Sequence, residues 1–195
     1  MEKELNSFSR GLRDGIPICL GYLSVAFAFG IFTVGHGLTI WEAVMISMTN
    51  VTSAGQLAAV PIIAGGGSLF ELALTQFVIN MRYSLMSVSL SQRLSKSVRL
   101  LDRFLISFVN TDEVFAVAIS KNAPLGRKYL YGLTLTPYLG WSAGTLLGSA
   151  AGNILPATVV SALGIAIYGM FIAIIVPPAK KSLPTLLCVL SAIAL

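Results

Sequence analysis

The strongest constraint on this chain is a pair of adjacent carboxyl side chains, Asp112 and Glu113, in the middle of the apolar segment 104–120. A charge at the centre of a membrane helix costs about 3 kcal/mol on insertion scales, and more on stricter estimates. Such residues persist in hydrocarbon only where they face other protein, water or a substrate. We therefore predict that the rest of the chain shields these two carboxyls from lipid.

The composition assigns the chain to a bilayer. It is 55% hydrophobic and 11% charged, with a mean hydropathy of +0.83, whereas a soluble domain carries about 25% charged residues. The single histidine and the two cysteines, which lie in apolar runs, give no pattern for a metal site or a disulfide. We predict an all-α, polytopic membrane protein in which residues 1–195 form a single transmembrane domain without a cofactor.

Apolar runs predict about five spanning helices, at residues 16–34, 68–90, 129–151, 157–176 and 183–195. The last run is shorter than the roughly 20 residues that a crossing needs, so we expect a missing or truncated final helix. Two further segments, 43–64 and 104–120, are apolar at both ends and polar at the centre. We predict that these two segments are broken or re-entrant helices.

The positions of the basic residues support that assignment. If both polar-centred segments enter and leave the membrane on one side, twelve of the thirteen Lys and Arg residues lie on the same side. The thirteenth, Arg82, then lies inside the membrane. Because basic loops stay in the cytoplasm, this arrangement predicts a multi-pass protein of the cell membrane with a cytoplasmic N-terminus.

The first polar centre supplies four candidate substrate-binding residues, Asn50, Thr52, Ser53 and Gln56. Paired discontinuous helices are one way to build a transporter site, because unwound backbone leaves free polar groups. Amides and hydroxyls of this kind could hold the ammonium and carboxylate of an amino acid. The alternative is a kinked helix whose hydroxyls bond back to their own turn.

Asn80 and Arg82 are two further candidate substrate-binding residues, inside the span 68–90. An arginine in an apolar helix needs an anion, and a substrate carboxylate could bind it in a bidentate manner. Two alternatives remain open. Arg82 could form an ion pair with Asp112 or Glu113, or its long side chain could extend to the inner surface.

Asp112 and Glu113 are the candidate proton-coupling residues, or the counter-charge for a cationic substrate group. The alternative is a structural one, because acidic residues also stabilise the first turn of a helix. Adjacent helical residues project roughly 100° apart. We therefore expect one carboxyl to face a cavity and the other to face a protein partner.

A glycine recurs at every fourth position in the span 129–151 and just beyond it: Gly140, Gly144, Gly148 and Gly152. Small residues at this spacing form a face on which another helix can approach closely. We predict a helix-packing role for these glycines, either within the chain or with a second subunit.

Three motifs occur together: 52–56 (TSAGQ), 80–83 (NMRY) and 111–116 (TDEVFA). With 15–17 (GIP) and 21–22 (GY), the chain resembles the AzlC-type branched-chain amino acid exporter family over roughly residues 11–150. The resemblance implies efflux of leucine, isoleucine and valine, driven by the proton gradient. It also implies a small, separate membrane subunit of AzlD type. Members of that family usually continue for some tens of residues more.

The sequence therefore predicts a secondary transporter with no enzymatic activity. A channel for ions or small solutes, built on the same paired half-helices, is the first alternative. An intramembrane enzyme is a weaker one, because the other acids in mid-chain, Glu42, Glu71 and Asp102, lie at segment ends. A purely structural membrane subunit is disfavoured by the buried charges.

Overall fold

The computed structural model describes residues 5–152 and 183–194, together with the isolated positions 158, 176 and 180. These residues are helical apart from their connections, which confirms the all-α prediction. The helices are α1 (Phe8–Gly35), α2 (Ile40–Thr49), α3 (Ala54–Ala64), α4 (Leu69–Ser91), α5 (Leu100–Phe108), α6 (Asp112–Ile119), α7 (Arg127–Gly152) and α8 (Leu183–Ala194). The predicted span 157–176 lies almost wholly outside the described residues.

Both polar-centred segments are interrupted, as predicted. Segment 43–64 is divided into α2 and α3, and segment 104–120 into α5 and α6. Helix α5 begins four residues earlier than the apolar run, because the Asp102 carboxylate accepts the backbone N–H of Arg99 and caps the new end. We call residues 50–53 the first break and residues 109–111 the second break.

Local signals in the sequence explain where α2 and α4 begin. Thr39 and Glu42 form a reciprocal capping box at the start of α2. The Thr39 N–H donates to the Glu42 carboxylate at 2.6 Å, and the Glu42 N–H donates to the Thr39 hydroxyl at 3.3 Å. Ser68 accepts the N–H of Glu71 at 3.1 Å and starts α4. Such caps satisfy backbone donors that have no partner inside the helix.

Helices α1 and α7 pack against each other along their whole length, and the seam between them is lined by glycine. A Cβ atom at any of the four repeated glycines would overlap α1, mostly at its backbone. The α1 residues concerned are Cys19 for Gly140, Leu23 for Gly144, Phe27 for Gly148, and Ile31 with Val34 for Gly152. Replacing any of these glycines would therefore force the two helices apart.

Helices α2 to α6 are arranged around this pair. Helix α2 packs on α7 and α1, α3 packs on α4, and α6 contacts α1, α4 and α7. Lys121, just after α6, forms a 2.7 Å ion pair with Asp14 of α1. Helix α4 therefore has one broken helix on each side.

Of the described helices, only α1 is both long and apolar enough to cross a bilayer, with a mean hydropathy of 2.0 in its best window. Helices α2 and α3 are apolar but shorter. The predicted number of crossings therefore stays a prediction. The chain divides into two compact units, residues 1–154 and 155–195, and the second contains α8.

Candidate functional site

The first break has an unusual backbone. Residues 50–53 separate α2 from α3, and Ser53, the residue before α3, has φ of 48°. Non-glycine residues seldom adopt positive φ because the Cβ atom approaches the carbonyl. The Ser53 side chain makes no capping bond to α3. The turn at this break is therefore held by the side chains around it.

Those side chains form a network of amides and a hydroxyl centred on Gln76 of α4. The Asn50 Nδ2 atom donates to Gln76 Oε1 at 2.9 Å, and Asn80 Nδ2 donates to the same oxygen at 3.2 Å. Gln76 Nε2 donates to the carbonyl of Gly55 at 2.8 Å, and Thr52 Oγ1 donates to Asn50 Oδ1 at 2.6 Å. Three predicted binding residues, Asn50, Thr52 and Asn80, are thus brought together.

Gln56 belongs to a different group. Its Nε2 atom donates to Ser47 Oγ at 2.9 Å, and Ser47 in turn is 2.6 Å from Thr145 Oγ1 on α7. All three side chains are fully buried. The structure therefore separates Gln56 from the Asn50 network and directs it towards α7.

The second break positions the two carboxyls. Helix α5 ends at Phe108 and α6 begins at Asp112, so both acids lie in the first turn of α6. Asp112 Oδ2 is 2.8 Å from the guanidinium of Arg82, and the two side chains are 45% and 48% exposed. The guanidinium also contacts the Tyr83 hydroxyl at 3.2 Å. The ion-pair alternative for Arg82 is the one that the structure contains.

Glu113 faces the other way. Its carboxylate accepts a hydrogen bond from the Tyr22 hydroxyl of α1. The Tyr22 ring is 8% exposed and packs edge-on against Trp141 of α7, with 4.9 Å between centroids. Asp112 and Glu113 each have a protein partner, and the expectation that one of them also faces a cavity stays a prediction.

Helix α4 serves both breaks because its polar residues lie on different faces. Gln76 and Asn80 are one turn apart and share a face towards α3. Arg82 is two residues beyond Asn80, roughly 200° around the helix axis, and faces α6. A buried apolar cluster that includes Val51 and Val109 connects the two breaks.

Several buried polar atoms at the breaks have no hydrogen-bond partner among the described residues: Gln56 Oε1, Asn80 Oδ1 and Asn110 Oδ1. Native structures pair almost all such groups, so each exception needs an explanation. These oxygens are acceptors, and a ligand or ordered water with a free donor would satisfy them.

The N-terminal end of α5 is held by hydrogen bonds to Asp102, away from the second break. The Tyr131 hydroxyl donates to Asp102 Oδ1 at 2.7 Å, and the Arg99 N–H donates to Oδ2 at 2.8 Å. The bond from Tyr131 is the largest influence that holds the pKa of Asp102 below its usual range. The ionised carboxylate thus connects α5 to α7.

Sequence reasoning missed two residues at the centre of the site. Gln76 organises the first break, and its signal was an amide inside an apolar span. Tyr22 binds Glu113, but a tyrosine in a long apolar helix has no pattern that predicts a partner 91 positions away.

The fold and the site define a helical membrane protein in which two interrupted helices flank a polar centre. The chain belongs to the AzlC family, because the family model described as AzlC protein matches residues 17–155. No solved structure matches it.

Relatives support the same family. The chain is 30% identical to the inner membrane protein YgaZ of Escherichia coli, over 96% of this chain and 78% of that protein. It is 33% identical to an uncharacterized membrane protein of Archaeoglobus fulgidus, over 89% of this chain and 76% of that protein. A membrane protein of Helicobacter pylori is 24% identical over 78% of this chain and 68% of its own length.

Proposed function

We propose that the protein is a proton-coupled secondary transporter that exports leucine, isoleucine and valine across the cell membrane. The observation that carries the proposal is the Arg82–Asp112 ion pair at a helix break, on the same helix as the amide network. Membership of the AzlC family supports transport over an intramembrane enzyme. In this proposal the N-terminus is cytoplasmic and the protein spans the membrane several times.

The proposed mechanism uses the ion pair as a switch. When Asp112 takes a proton, it no longer compensates the charge of Arg82, because only the carboxylate attracts the guanidinium. Arg82 is then free to bind the carboxylate of a substrate. Glu113, held by Tyr22, stays as the second proton-coupling residue.

The amides and hydroxyls of the first break would bind the substrate's ammonium group. Asn50, Thr52 and Asn80 lie together there, and Asn80 Oδ1 has no partner among the described residues. Ser53 and Gln56 border the same break and would shape it. An oxygen acceptor without a donor is what an ammonium group would complete.

A small AzlD-type membrane subunit is the proposed partner. The support is that Arg82 and Asp112 remain about half exposed, while the neighbouring residues Phe77 and Leu85 of α4 are 66% and 77% exposed. Charges at membrane depth must be covered by protein or water. A second subunit against α4 and α6 would provide that cover.

Counterflow of labelled leucine in proteoliposomes tests the proposal. When the vesicles are loaded with excess unlabelled leucine, a carrier accumulates labelled leucine inside them, and its rate saturates with leucine concentration. A channel shows neither behaviour. Uptake of labelled leucine driven by an imposed pH gradient should be lost in the double variant Asp112→Asn, Glu113→Gln, but not in Glu71→Gln, at the start of α4. Transport unaffected by the double variant would exclude these acids as the proton carrier.

A further inference from the structure

A cavity lies between the C-terminal end of α4 and α5, next to the second break. Its volume is about 230 Å³. That is below the roughly 300–1,000 Å³ of sites for larger ligands, and it suits a molecule the size of one amino acid. The cavity is lined mainly by apolar groups, with a few polar ones, including Leu90, Leu94, Ile106, Ser87, Asn110 and Arg103.

One polar group in this cavity lacks a partner. Asn110 is 3% exposed, and its Oδ1 atom has no hydrogen-bond partner among the described residues. Its Nδ2 atom donates to Ser87 Oγ at 3.5 Å, a long bond. An unpaired buried carbonyl oxygen costs about 1–3 kcal/mol, so this position favours a ligand that brings an N–H donor.

A positive charge lies at the other end of the cavity. Arg103 of α5 also lines the cavity and lies seven residues before Asn110, about 10 Å along the helix axis, a distance that its long side chain can bridge in part. Arg103 makes no ion pair among the described residues. A guanidinium in this position favours a carboxylate.

We propose that this cavity binds a zwitterionic amino acid with an apolar side chain, distinct from the site at the first break. Asn110 accepts a hydrogen bond from the ammonium, Arg103 binds the carboxylate, and the branched side chain packs on Leu90 and Ile106. The choice of substrate class rests on the proposed function. A lipid acyl chain would fill the same apolar volume but offers Asn110 no donor.

Equilibrium binding of tritiated L-leucine to the full chain in lipid nanodiscs tests this assignment at alkaline pH, which in the proposed mechanism keeps Arg82 paired with Asp112 and the other site closed to leucine. Competition with leucinamide, which lacks the carboxylate, and with 4-methylpentanoate, which lacks the ammonium, reports which end each residue recognises. Arg103→Gln should weaken leucine binding roughly ten- to a hundredfold, the usual range for losing a hydrogen bond to a charged group, and leave leucinamide unchanged. Lys96→Gln, an exposed cation outside the cavity, is the matched control.

Two further variants complete the test. Asn110→Leu should weaken the binding of leucine but not that of 4-methylpentanoate, which has no ammonium group. Because Asn110 lies at a helix break and this variant could misfold, Ser87→Leu provides an independent test by filling the cavity, with the exposed Ser89→Leu as its control. Ser87→Leu should weaken leucine and both analogues at least tenfold.

The outcomes separate this inference from the proposed function. Unchanged leucine affinity in Ser87→Leu, or equal losses of leucine and leucinamide in Arg103→Gln, overturns the cavity assignment, and a cavity filled by lipid would give that result. If wild-type protein then still shows leucine counterflow, the transporter proposal stands without this site. Wild-type protein that neither binds nor exchanges leucine overturns both.

Discussion

The two helix breaks are similar in backbone and opposite in chemistry. The first is held by neutral groups, with Gln76 bonding Asn50 and Gly55. The second is held by charge, through Arg82 with Asp112 and through Tyr22 with Glu113. Neutral amides keep their hydrogen bonds at any physiological pH, whereas a carboxylate pair changes when it binds a proton. In the proposed mechanism, recognition therefore belongs to the first break and proton coupling to the second.

The largest effect that we predict is at the ion pair. Arg82→Gln leaves Asp112 without its counter-charge and should lower the free energy of unfolding by about 3 kcal/mol, the cost of an unpaired acid at the centre of a membrane helix on insertion scales. The double variant Arg82→Gln, Asp112→Asn should recover most of this stability, and neither variant should transport. Thermal unfolding in detergent measures the difference. Equal melting temperatures for the single and double variants would contradict the pairing.

A smaller effect is expected at Glu113. Tyr22→Phe removes the donor to its carboxylate while keeping the ring against Trp141, and should cost about 2 kcal/mol, as for a hydrogen bond to a charged group. Tyr138→Phe is the matched control, because that hydroxyl donates to the neutral Met48 carbonyl near the first break. The control should cost about 1 kcal/mol. If chemical denaturation gives the two variants the same loss, the contrast between charged and neutral breaks is wrong.

A substitution at the first break should cost less stability than one at the second break, and it should not change the pH dependence of transport. Gln76→Leu removes the centre of the network and leaves Asn50 and the Gly55 carbonyl unsatisfied, at about 1–2 kcal/mol. Leucine affinity should fall, while the shape of the pH profile of transport stays unchanged. Gln92→Leu, at the exposed end of α4, serves as the control. A shifted pH profile in Gln76→Leu would show that the first break also takes part in coupling.

The smallest predicted effect has the opposite sign. Ser53→Gly should raise the free energy of unfolding by about 0.5–1 kcal/mol, because glycine adopts positive φ without strain but loses more freedom on folding. Ser120→Gly, at the end of α6 in an ordinary helical conformation, should not stabilise the protein. A melting temperature that falls in Ser53→Gly would mean that the Ser53 side chain has a role that the structure does not explain.

The sequence located both breaks because polar residues inside apolar runs are a local signal. The polar residues among Asn50 to Ser53, and Asn110 with Thr111, are of types that favour turns and helix caps over helix interiors, and the caps at Thr39 and Ser68 are equally local. The family resemblance added the motifs around Arg82. These features needed no knowledge of tertiary contacts.

The partners could not be predicted, because they depend on packing between distant helices. Whether Arg82 pairs with Asp112, Glu113 or a substrate depends on how α4 rotates against α6, and the sequence left all three open. The direction of Gln56 depends on Ser47 and Thr145, which the sequence alone does not connect. The cavity beside Asn110 is likewise a property of how α4 and α5 are spaced.

The glycine seam between α1 and α7 has a consequence for any transport cycle. The backbones of α1 and α7 touch at Gly140, Gly144 and Gly148. The two helices therefore form one rigid unit, since bending either of them would break the contact along the seam. Movement that opens the protein to alternate sides of the membrane must then occur in the short half-helices and α4. Natural substitutions at these glycines should accordingly be rare, because a Cβ atom would mostly meet backbone atoms of α1, which no smaller side chain removes.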